Sequence, residues 1–277
     1  MLSILLPTDF SENSKNAITY ALELYKNEDC KFHFLHCYPP VIFSYEYQIE
    51  KGLIGKDIHK ILQEESKERL YEFALSLMRK HGMEQEFEVE VVKGFLPDRI
   101  SRAVSDNNID LIVMGTKGET DSDRVIFGSN TTQIINKRCC PVIAVPDDYK
   151  FAGLENILFP SDLNLAFKHK HFQPILKILE LHKSNIKVLH ISMQELTSLQ
   201  KIHKEFIKET FTDYKTTYDI LEEKNIADVV YDYQQEHKSE LLVMINNKHS
   251  FFENLFFKPT TSKIAMHLQT PFMVIPA

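Results

Sequence analysis

Tryptophan is absent from the 277 residues, and glycine is scarce, with eight positions in all. The four cysteines, Cys30, Cys37, Cys139 and Cys140, match no metal-ligand spacing. The adjacent Cys139-Cys140 allows a redox pair, but a reduced pair beside a buried strand is the expectation. No apolar run approaches the ~20 residues of a membrane-spanning helix. The opening apolar run is cut by Pro7 too early for a signal peptide. Basic residues do not predominate: 32 Lys and Arg against 39 Asp and Glu leave a formal charge of −7. That argues against a nucleic-acid partner held by phosphate contacts. A cytoplasmic protein without nucleic-acid or membrane partners is expected.

What is present suits a packed protein of one or two domains, with 43% hydrophobic and 26% charged residues. Residues 2–6 read as a buried strand, followed by a turn at Pro7-Thr8-Asp9-Phe10-Ser11. Ser11 or Asp9 can cap the helix on which Ala17, Tyr20, Ala21, Leu24 and Tyr25 recur. Residues 31–37 form a second strand, ended by Pro39-Pro40. Residues 41–56 are irregular and read as a long loop or lid. Helix 57–79, strand 87–92 closed by Gly94, helix 97–107 and strand 110–114 follow. A helix near 128–137 and a strand at 141–146 complete the pattern. Strands alternating with helices predict a doubly wound parallel α/β sheet, which binds ligands past the carboxyl ends of its strands.

The glycines concentrate where that rule puts a ligand. After the strand ending at Met114 the chain reads Gly115-Thr116-Lys117-Gly118, then, after nine intervening residues, Gly128-Ser129-Asn130-Thr131. Glycine lets the backbone approach a ligand closely. A helix starting at Gly128-Ser129 points free N–H groups and a positive dipole end forward, which suits phosphate. The spacing is neither a Walker A loop nor a Rossmann fingerprint. Turn-making alone remains an alternative for these glycines.

The chain then repeats itself. Asp110-Leu111-Ile112-Val113-Met114 matches Glu240-Leu241-Leu242-Val243-Met244, and Pro141-Val142-Ile143 matches Pro271-Phe272-Met273, both 130 residues on. Ile4-Leu5-Leu6-Pro7-Thr8-Asp9 matches Ile157-Leu158-Phe159-Pro160-Ser161-Asp162, 153 residues on. The boundary falls near residues 147–156. In the second copy Gly115, Gly118, Gly128 and Ser129 become Ile245, Lys248, Lys258 and Pro259. Phe251, Phe252, Leu255, Phe256 and Phe257 fill its loop, which reads as an interface or a plugged pocket. His169, His171, His182 and His190 read as surface histidines rather than a metal site.

Pro7-Thr8-Asp9, Gly94, Met114-Gly115, Gly118, Gly128-Ser129 and the closing Pro141-Val142 strand resemble the universal stress protein family in its tandem form. The Gly-x2-Gly-x9-Gly-Ser pattern is similar to that of the family's ATP-binding branch. The resemblance implies two Rossmann-like, HUP-type domains, residues 1–150 and 151–277, each with a five-stranded parallel sheet flanked by helices. The second domain is degenerate and lacks the glycine motif. The domains pair through their last strands within one chain, with a homodimer as a further option. The implied ligand is ATP, or ADP or AMP, with Mg2+ as an option. Asp9 with Pro7 and Thr8 would face the adenine and ribose, and Cys37 would border the base. Met114 and Gly115 would flank the ribose. Lys117, Gly118, Gly128, Ser129, Asn130 and Thr131 would hold the phosphates. Cys37 and Met114 also read as wall packing, Asp9 as a helix cap and Lys117 as a solvated loop lysine. Glu119, Asp121 and Asp123 oppose a triphosphate, so their segment is expected to point outward.

Three functions follow. The first is a nucleotide-responsive stress-response protein that presents a surface to an unknown protein partner, with slow ATP hydrolysis at most. The second is a nucleotide-free interaction scaffold. The third, an adenylating enzyme, is disfavoured by the missing glycine-serine loop after the first strand.

Overall fold

The computed structural model describes residues 1–38, 57–116, 128–223, 226–246 and 269–277. The proposed lid, Lys117, Gly118, the acidic segment and the Phe251-to-Phe257 loop lie outside the described residues.

The first half runs β1 (Leu2–Pro7), α1 (Glu12–Leu24), β2 (Cys30–Tyr38), α2 (Ile58–Lys80), β3 (Phe87–Lys93), α3 (Leu96–Asp106), β4 (Leu111–Gly115), α4 (Ser129–Lys137) and β5 (Val142–Val145). The second half runs β6 (Asn156–Pro160), α5 (His169–His182), β7 (Asn185–Ile191), α6 (Ser198–Thr210), β8 (Thr216–Leu221), α7 (Ile226–Glu236), β9 (Leu241–Asn246) and β10 (Phe272–Pro276). All ten strands join one sheet in the order β3-β2-β1-β4-β5-β10-β9-β6-β7-β8. Each half is parallel throughout, as the strand-helix alternation requires. The halves meet through an antiparallel β5–β10 pair with Ile143 opposite Met273. The expected pairing through last strands is therefore made within the chain.

The alternation of side chains along each strand sorts the core into two layers. Ile4, Leu6 and Val113 face one layer with α1, α2, α5 and α6. Leu5, Ile112 and Met114 face the other, with α3, α4 and α7. Both layers cross from one half to the other. On the first face His182 at the end of α5 bonds through Nε2 to the carbonyl of Leu24 at the end of α1, 2.9 Å away. Asn16 donates its amide to the carbonyls of Pro146 and Tyr149 just beyond β5, both at 3.0 Å.

One expectation needs correcting. His171 and His190 are not surface residues: each is 4% exposed. Their rings are used by the backbone, His171 accepting the N–H of Lys168 at 3.3 Å and His190 bonding through Nδ1 to the carbonyl of Ser161 at 2.9 Å. No cluster of metal-binding side chains occurs among the described residues.

Candidate functional site

In the first half the strand order reverses between β1 and β4, and a crevice opens past their carboxyl ends. Its volume is about 140 Å3. Pro7, Thr8 and Asp9 form one wall, Met114 and Gly115 the floor, and Cys37 a side. Asn130 and Thr131 bring the first turn of α4 to it. Gly128 and Ser129 sit just outside, as the cap and first residue of that helix. The structure thus gathers eight predicted residues around one space.

The α4 end is held open by local bonds. Gly128 donates its N–H to the carbonyl of Thr116 at 2.7 Å. Thr131 donates its hydroxyl to the carbonyl of Gly115 at 3.0 Å. The cap of α4, Gly128, makes no side-chain cap bond, an arrangement that suits an anion at the first turn.

The opposite wall is a tight turn. Ser11 is the cap of α1, its hydroxyl accepting the N–H of Ser14 at 3.2 Å. Asp9 is not the cap. Its carboxylate instead accepts from the backbone of Ser11 at 3.0 Å and from the Ser11 hydroxyl at 2.5 Å. Burial pushes the Asp9 carboxyl up, but hydrogen bonds from Ser11 and Ser14 outweigh it and hold the group below its ordinary value. Asp9 is therefore a fixed anion at neutral pH. Phe10 between them takes the left-handed conformation, φ 66°, which costs a non-glycine residue roughly 1–2 kcal/mol.

Cys37 lines the cleft. Burial pushes its thiol up to about 12, against the lowering effect of nearby Arg99. All four cysteines are free, with Cys140 buried and Cys139 exposed.

The sequence reading missed three residues. Ser14 and Leu96 also line the cleft. The Ser14 hydroxyl bonds to the Thr8 hydroxyl at 2.9 Å and to the Ser11 carbonyl at 3.0 Å. Its place three residues past the Ser11 cap was a usable signal. Arg99 was the third, packed so closely on Gly94 that a Cβ there would lie 2.5 Å from its Nε. Nothing in the sequence marks it.

The second half repeats the turn, and its sequence lacks the motif glycines. Ser161 accepts the N–H of Leu163 at 3.1 Å, as Thr8 accepts that of Phe10 at 2.9 Å. Asp162 accepts the N–H of Asn164 at 3.0 Å. Leu163 is left-handed at φ 57°. Where Thr116 stands in the first half, Asn246 is 1% exposed and accepts a hydrogen bond from Arg138 of the first half at 3.1 Å.

A family profile described as the universal stress protein family matches residues 1–146. Universal stress protein MJ0531 of Methanocaldococcus jannaschii is 28% identical over 144 residues, covering 51% of this chain and 80% of that protein. Universal stress protein MJ0577 of the same organism is 31% identical over 158 residues, covering 51% and 93%. Among solved structures, a universal stress protein from Archaeoglobus fulgidus is similar across 99% of this chain and 98% of its own, with a TM-score of 0.72 and 15% identity. That likeness extends the shared fold over both halves.

Proposed function

The chain belongs to the universal stress protein family, and from that premise we propose that it binds an adenine nucleotide, ATP or a close relative, in the first-half cleft. In this reading residues 1–150 form the ligand-binding domain and residues 151–277 its degenerate mate. One observation carries the proposal: the glycine motif ends at the uncapped start of α4, which opens onto the same cleft as Asp9 and Met114. The base and ribose lie against Pro7, Thr8, Asp9, Met114 and Gly115. The phosphates lie at Ser129, Asn130 and Thr131, with Lys117 and Gly118 from the glycine loop.

Binding rather than turnover is proposed. Among the described residues the cleft's hydroxyls, Thr8, Ser14 and Thr131, are bonded to each other or to backbone. Among the described residues Asp9 is the carboxylate that lines it, and that group is held by Ser11. Neither arrangement offers a free base for water or a set of oxygens for a metal. Occupancy of the cleft would then change the surface shown to a protein partner. A nucleotide-free scaffold is the second reading, favoured by the loss of every motif glycine from the second half.

Native mass measurement of the purified chain, before and after adding ATP, separates the two. Retention or uptake of an adenine nucleotide is expected. A chain that neither retains nor takes one up would leave the scaffold reading in its place.

A further inference from the structure

A bulky residue in left-handed backbone is uncommon, and it persists only where its surroundings over-determine it. Phe10 is such a residue, at φ 66°, and it stands between Asp9 in the cleft and the Ser11 cap. Three side chains surround its ring. Arg69 of α2 lies over one face, its guanidinium carbon 4.0 Å from the ring centre. His36 of β2 lies at 4.6 Å between ring centres. Phe73 of α2 meets it edge-on at 5.5 Å. His36 also bonds through Nδ1 to the carbonyl of Thr8 at 2.8 Å. The turn is thus gripped by its backbone on one side of Asp9 and by an aromatic ring on the other.

We propose that Phe10, clamped by Arg69, His36 and Phe73, is a positioning residue that fixes the Asp9 carboxylate toward the ligand. The mechanism is geometric. The left-handed residue reverses the chain so that the N–H and hydroxyl of Ser11 both reach Oδ1 of Asp9. Without the ring, the backbone of residue 10 has no packing to hold it there, and Asp9 swings free of Ser11. The second half supplies an internal comparison. Leu163, an aliphatic residue, holds φ 57° at the matching position, and Asp162 still accepts the N–H of Asn164. There the backbone carbonyl of Leu163 is bonded by Nδ1 of His203 at 2.7 Å, and His190 grips Ser161 as His36 grips Thr8. Bulk in a packed niche, rather than aromatic character, is the shared requirement.

The proposal rests on the nucleotide reading of the cleft, and its test keeps the two apart. The full chain is compared as wild type, Phe10→Ala and Phe10→Leu, by carboxyl NMR titration of Asp9 and by ATP binding. Phe10→Ala, which removes the ring but keeps the Cβ that disfavours left-handed backbone, should release Asp9, so that its titration rises toward that of an ordinary aspartate. ATP affinity should fall about tenfold, the loss of one hydrogen bond to a charged group. Phe10→Leu, which copies Leu163, should restore both. An unchanged Asp9 titration in Phe10→Ala would overturn the positioning role whatever happens to ATP. A shifted Asp9 titration with ATP affinity equal to wild type would overturn the link to the ligand. A wild type that ignores ATP would instead defeat the nucleotide reading, leaving the grip on Asp9 to be judged by the titration alone.

Discussion

Thr131 donates its hydroxyl to the main-chain oxygen of Gly115, tying the first turn of α4 to the end of β4 across 3.0 Å. Both residues line the cleft and Thr131 is 2% exposed. Thr131→Val keeps the shape and removes the donor, leaving a buried carbonyl without this partner. We expect a loss of roughly 1–3 kcal/mol in urea unfolding, together with weaker ATP binding. Unaltered stability would show that this bond does not hold the helix tip.

The shared sheet gives a second prediction. Ile143 and Met273 face each other at the centre of the β5–β10 seam, both fully buried. Met273→Ala should cost about 2–5 kcal/mol. Because both core layers run through the seam, wild type should unfold in one transition by far- and near-ultraviolet circular dichroism. Two separated transitions would mean the halves fold independently.

A third prediction concerns acid. Burial pushes the His182 imidazole below its ordinary value, against raising effects from its bond to Leu24 and from Glu28. Between the lowered value and the ordinary 6.5 the unfolded chain binds the extra proton. This contribution is therefore complete above the ordinary value and fades as pH falls through that window. Urea midpoints of wild type and His182→Gln, compared at about pH 7.5 and about pH 5.5, isolate it. The glutamine variant should show the smaller loss on acidification; equal losses would remove His182 from the account.

Thiol reactivity gives a fourth. With Cys37 pushed up to about 12 and Cys140 higher still by burial, neither holds appreciable thiolate near neutrality. Alkylation followed by peptide mass analysis should label the exposed Cys139 first. Prompt labelling of Cys37 would mean that the cleft wall is open to reagent and its thiol active.

Much of this architecture could be read from residue order alone. Buried parallel strands announce themselves as apolar runs, and β4 and β9 follow the matching runs 130 residues apart. The cleft walls were legible because Pro7-Thr8-Asp9 and Met114-Gly115 end adjacent strands, where open α/β sheets place ligands. The α4 start was legible from Gly128. Phe10 was not, since its left-handed backbone is imposed by tertiary packing on a residue that does not favour it. Ser14 and Arg99 depended on helix phase and side-chain direction, which spacing leaves undetermined. The second-half helix also resisted reading: α5 begins at His169, about a turn later than the repeat with α1 implies, because Ser161 to Lys168 makes a longer turn.

The asymmetry between the halves is tested most directly by calorimetric titration of the full chain with ATP and Mg2+, beside Asn130→Asp. An acid in the first turn of a helix favours the helix by about 0.3–1 kcal/mol. The same carboxylate about 4 Å from a phosphate opposes it by roughly 4 kcal/mol at an effective dielectric near 20. The account predicts one nucleotide per wild-type chain and at least about tenfold weaker binding in a variant no less stable. Two nucleotides per chain, or equal affinity in Asn130→Asp, would contradict it.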